Sequence, residues 1–112
     1  MAITIKNLNS NEKSWTFLDG SERTAVILES VFIGRGTYLS GWKWSEHVGK
    51  QTGKDSEAHI GYIISGQMVI KGTNGKEMSV GPGDAFEIGP KHDAWVVGNE
   101  PCVALDFGTL EK

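Results

Sequence analysis

The chain has 112 residues, with 11 Lys and Arg against 14 Asp and Glu, a formal charge of −3, and 38% hydrophobic residues. That is the size of one domain able to bury its own core, here residues 1–112, and the acidic balance excludes the broad basic face that nucleic-acid binding needs. No run approaches the roughly 20 apolar residues that cross a bilayer, and the start MAITIKNLNSNEK lacks a basic-then-apolar leader pattern, so a cytoplasmic protein is expected.

Helical periodicity is scarce along the chain. NLNSNEKSWTF begins with a polar cap-like Asn-Ser-Asn but carries no sustained i, i+3, i+4 apolar stripe. The β-branched run TAVILESVFI reads as a strand over Thr24 to Ile33, closed by Gly34 and Gly36. YLSGWKWSEHV alternates as a strand would, with Trp42, Trp44, Glu46 and Val48 on one side and Lys43, Ser45 and His47 on the other. GKQTGKDSE is loop by composition. Strands then follow at His59 to Ile64 and Gln67 to Lys71. Asn74-Gly75 is the strongest hairpin signal in the chain, with Lys76 to Val80 as the returning arm. Beyond the Gly81-Pro82-Gly83-Asp84 turn come strands at Ala85 to Ile88, Ala94 to Val97 and Cys102 to Phe107. Eight to ten short strands punctuated by 15 glycines describe a sandwich or barrel.

Few residues offer chemistry. One cysteine excludes an internal disulfide and a Cys-based zinc site, and Cys102 in CVALDF reads as a buried, inert thiol. Phosphate-loop and nucleophile-elbow templates are missing. The three histidines, His47, His59 and His92, are the available metal ligands, because neutral imidazoles suit zinc or non-haem iron. Their order along the chain permits convergence without establishing it. Asp106 in an otherwise apolar strand is informative, since a buried carboxylate must be paired or protonated. Four tryptophans are explained by packing or, for one or two of them, by a small apolar pocket.

From Gly41 to Asn99 the chain resembles the cupin superfamily. Gly41, five residues and then His47 match the opening of the first cupin motif, G-x5-H-x-H-x3,4-E-x6-G, and HIGYIISG resembles its close. GPGDAFEIGPKHDAWVVGN resembles the second motif, G-x5-P-x-G-x2-H-x3-N. Within this pattern Gly49 stands where the second histidine belongs, His59 where the glutamate belongs, and His92 two residues ahead of the histidine position at Ala94. The resemblance implies an all-β, single-domain, cupin-type antiparallel β-barrel (a jelly roll or double-stranded β-helix). It also implies a divalent metal (Zn, Fe, Mn, Ni or Cu) on His47, His59 and His92, serving an oxygenase-like or isomerase-like reaction on a small molecule. Tyr38, Trp44, Tyr62 and Trp95 are candidate pocket walls, and the N-terminal segment through Ile33 is the expected contact of a homodimer. The alternative is a degenerate, metal-free cupin that binds a small ligand or acts as a sensor without turnover.

Overall fold

The computed structural model describes residues 3–110; Met1, Ala2, Glu111 and Lys112 lie outside it. Nine strands form: β1 (Lys13–Thr16), β2 (Glu22–Ile27), β3 (Val31–Tyr38), β4 (His59–Ser65), β5 (Gln67–Lys71), β6 (Glu77–Val80), β7 (Ala85–Ile88), β8 (Asp93–Val97) and β9 (Cys102–Thr109). They make a six-stranded sheet in the order β1-β2-β3-β9-β4-β7 and a three-stranded sheet in the order β6-β5-β8. All their pairings are antiparallel.

Two strand expectations are corrected first. TAVILESVFI is not one strand. Leu28 N donates to Val31 O, at 2.8 Å, to close a hairpin turn between β2 and β3, and Gly34 and Gly36 lie inside β3 rather than ending it. The second correction concerns YLSGWKWSEHV. After Gly41 at φ +87° the chain leaves strand geometry, forms a π-helical turn over Ser45–Gly49 and continues as an α-helical turn over Lys50–Thr52, together α1. Trp44, Val48 and Thr52 are spaced at i, i+4 and i+8, so an apolar spacing that also satisfies strand alternation is used here as a helical face.

The closed all-β barrel is therefore not what forms. The fold is mixed α/β, with two open sheets. Where a further strand would have to lie against β8, residues 42–43 supply only a Lys43–Trp95 bridge and a Val96 N to Trp42 O bond of 2.9 Å before the chain turns into α1. In the large sheet, the edge strand β1 is four residues long and exposed throughout.

The inner face of each sheet follows from strand parity. Ile63 and Cys102 are fully buried, and Met68, Ile70, Ala94, Val96, Ala104 and Trp42 complete the core between the sheets. The chain crosses from the large sheet to the small one at Gly66, whose φ of +80° and close approach to Pro101 O and Cys102 Cα admit no side chain. At the β5–β6 hairpin, Gly75 has φ +81° and Lys76 N donates to Asn74 Oδ1, which is the chemistry that Asn-Gly brings to a tight turn.

Candidate functional site

The inner face of the six-stranded sheet changes character along β9. Cys102 packs into the core, Ala104 both packs there and borders open space, and Asp106 on the same face stands over that space. Asp106 is flanked by Gly34 on β3 and Gly61 on β4. A Cβ on Gly34 would collide with the Arg23 guanidinium and Asp106. On Gly36 it would strike the Tyr38 ring, and on Gly61 the Phe86 ring. These strand glycines form a floor on which larger side chains lie flat.

Above that floor is a cavity of about 550 Å³. Phe32, Tyr38, Trp42, Trp44 and Phe86 line it, together with Ile27, Ile70 and Ile88. Four exposed charged residues stand at its rim: Lys13, Lys54, Asp55 and Glu57.

Its one internal ion pair is closed on itself. Arg23 Nε donates to Asp106 Oδ1 at 3.1 Å and Arg23 Nη2 to Oδ2 at 2.6 Å, a two-pronged pair with both side chains about four-fifths buried. The guanidinium lies 4.9 Å from the Trp15 ring centroid and 5.9 Å from that of Phe32. Burial opposes its charge, but the hydrogen bonds and field of Asp106 outweigh that cost and raise its pKa above the usual value. Tyr38 is also raised, chiefly by burial and then by the charge of Asp106, so it remains a neutral phenol. Its ring lies 4.3 Å from that of Trp42. Its hydroxyl lies over Gly36, on the floor of the cavity.

His59 and His92 stand together on the cavity wall, with ring centroids 5.1 Å apart. His92 is fixed on both sides of its backbone by buried Ser56: His92 N donates to Ser56 Oγ at 2.7 Å, and that hydroxyl donates to His92 O at 2.6 Å. Its Nδ1 donates to Gly89 O at 2.9 Å, so the neutral ring presents Nε2 as an acceptor. Burial, and secondarily the neighbouring His59, lower its pKa.

His47 is elsewhere. It sits on α1, outside the cavity lining, where its Nδ1 accepts from Lys43 N at 2.9 Å. The expected metal site on His47, His59 and His92 is overturned by this placement. Among the described residues no group of three or more His, Cys, Asp and Glu side chains is arranged to hold a metal ion. Two imidazoles remain, the nearby carboxylate of Asp106 is committed to Arg23, and the donor set does not fit a resident metal. Gly49, at the missing ligand position, is tucked against the Trp44 ring within the helical turn.

Of the candidate pocket residues, Tyr38 and Trp44 line the cavity. Tyr62 is 40% exposed on the outer face of β4, and Trp95 lies outside the lining, with Lys43 Nζ 5.3 Å from its ring centroid. Sequence reading missed Arg23, Phe32, Phe86 and Ser56. The unexplained Asp106 was the one signal that pointed towards a buried cationic partner.

The chain matches the family model described as a cupin domain over residues 43–108. It belongs to the cupin superfamily. Among solved structures, KdgF from Halomonas sp. superposes with a TM-score of 0.65 at 18% identity, with 93% of each chain covered. A sugar phosphate isomerase of the cupin superfamily from Silicibacter pomeroyi gives 0.70 at 15% identity, covering 96% of this cupin and 76% of that chain. The polyketide cyclase RemF from Streptomyces resistomycificus gives 0.69 at 15% identity, covering 97% and 81%. No functionally curated protein matches the sequence. At these identities the likeness is one of fold. No helix among the described residues is long and apolar enough to cross a membrane.

Proposed function

We propose that this cupin binds a small organic molecule between its two sheets without a resident metal, as a ligand-binding or sensory module. The observation that carries the reading is the cavity of about 550 Å³, largely apolar, with a few fixed polar groups converging on it. Its size falls within the usual range for small-molecule sites, roughly 300–1,000 Å³. The separation of His47 from His59 and His92 favours this over a metal-dependent oxygenase or isomerase. The test is thermal unfolding of untagged, chelator-treated protein against a panel of small organic molecules and, separately, Zn, Fe, Mn, Ni and Cu. Stabilisation by an organic compound in chelator supports the reading. Stabilisation that requires stoichiometric metal contradicts it.

The proposal includes a homodimer through the N-terminal segment. It is supported by Ile3 and Ile5, which are 87% and 86% exposed and find no cover among the described residues. Sedimentation at micromolar concentration gives twice the chain mass if this is right and the chain mass if it is wrong.

A further inference from the structure

We infer that the occupant of the cavity is an uncharged ligand of two or three fused rings carrying a hydroxyl or carbonyl group. This rests on the binding reading above and names the ligand class for that site. Three observations converge on it.

The first is charge. Arg23, the one arginine on the lining, has its guanidinium engaged twice by Asp106 and covered by Trp15 and Phe32. His92 is held towards its neutral form by burial. The remaining cations on the lining, Lys13 and Lys54, are exposed at the rim beside Asp55 and Glu57. A phosphate or carboxylate entering the cavity would lose water and meet no free counter-charge.

The second is shape. Tyr38 lies flat over Gly36 and Phe86 over Gly61, so the floor offers aromatic faces rather than edges. A cavity of about 150 Å³ holds a benzene ring, and this one, at about 550 Å³, holds two or three fused rings. The third is the polar complement. The Tyr38 hydroxyl lies over Gly36 on the cavity floor, and His92 Nε2 is an acceptor, so a neutral donor–acceptor group on the ligand can be met by these two. Polyhydroxylated or phosphorylated sugars would leave most of their polar groups unsatisfied against these walls.

The test is calorimetric titration in chelator with three probes: 2-naphthol, naphthalene-2-carboxylate and glucose 6-phosphate. The expected result is one-to-one binding of 2-naphthol, with the carboxylate at least ~10-fold weaker and no heat from the sugar phosphate. Tyr38→Phe, with its fold checked by circular dichroism, should weaken 2-naphthol about fivefold. Equal or tighter binding of either anion overturns the ring-ligand inference while leaving the cavity reading standing. So does a Tyr38→Phe protein that binds 2-naphthol as tightly as the unaltered chain. If none of the probes binds, while an unrelated compound stabilises the protein in the thermal panel, the ligand class alone is wrong. If nothing in either experiment binds, both readings fall.

Discussion

The two halves of β9 share a strand and an inner face but build different things. Cys102, at 0% exposure, meets Ile63 and Val96 in a filled core, and Ala104, at 8%, marks the boundary, packed against that core and bordering the cavity. Two residues further on, Asp106 faces the cavity, and Gly108 beyond it is covered by the Phe32 ring. The difference lies in the neighbours. Ala104 pairs with Gly36 and Ile63, whereas Asp106 pairs with Gly34 and Gly61, so the strands on both sides of the carboxylate have no side-chain volume to offer. The cavity thus arises from residues left small rather than from an added loop, and the same glycines let Arg23, Tyr38 and Phe86 lie along the floor.

Breaking the polar half should have the largest effect. Asp106→Ala leaves a mostly buried guanidinium unpaired and should cost about 3 kcal/mol in urea unfolding. The double variant Arg23→Met, Asp106→Leu, which makes this half resemble the filled one, should recover most of that loss. Full retention of stability in Asp106→Ala would mean that Arg23 is solvated and the pair is incidental. Adding volume to the floor tests the glycine argument. Gly36→Ala forces the Tyr38 ring to move and should cost about 2 kcal/mol by overpacking. It should weaken 2-naphthol binding at the same time.

His47 tests the boundary of the site. His47→Ala removes the acceptor for Lys43 N and should cost about 1 kcal/mol in chemical unfolding. Ligand affinity should stay unchanged, because the ring is outside the cavity. The smallest expected effect is on pH dependence. The pKa of His92 is lower in the folded protein than its ordinary value of 6.5, so the unfolded chain binds the proton more readily. Its contribution is fully present above that ordinary value and is lost as the pH falls below it. His92→Asn should flatten the stability profile between pH 7 and pH 5, measured by thermal unfolding at fixed ionic strength.

Much of the strand arrangement was legible because its signals are local. Asn74-Gly75 dictates its own hairpin, and His59 to Ile64 alternates cleanly. The helical turn at Ser45–Gly49 was not legible, since Trp44 and Val48 satisfy both strand parity and helical spacing, and only packing decides between them. Barrel closure failed as an expectation for the same reason, because the segment that turns helical is the one that would have lain along β8. In the site, Asp106 announced a buried partner, but the 83 residues that separate it from Arg23 hid which one. The glycines misled most. Gly34 and Gly36 read as turn residues, yet they sit within β3 as floor, where what matters is the side chain lying across them, Arg23 from β2 over Gly34 and Tyr38 over Gly36.

The central claim, a ligand held on the inner face of the large sheet without metal, is tested most directly by methyl NMR. With isoleucine δ1 methyls labelled and the protein in chelator, saturating 2-naphthol should give intermolecular NOEs to Ile27, Ile70 and Ile88, which line the cavity. NOEs confined to Ile60 and Ile64, exposed on the outer face of β4, would contradict the account, as would contacts that appear only after metal is added.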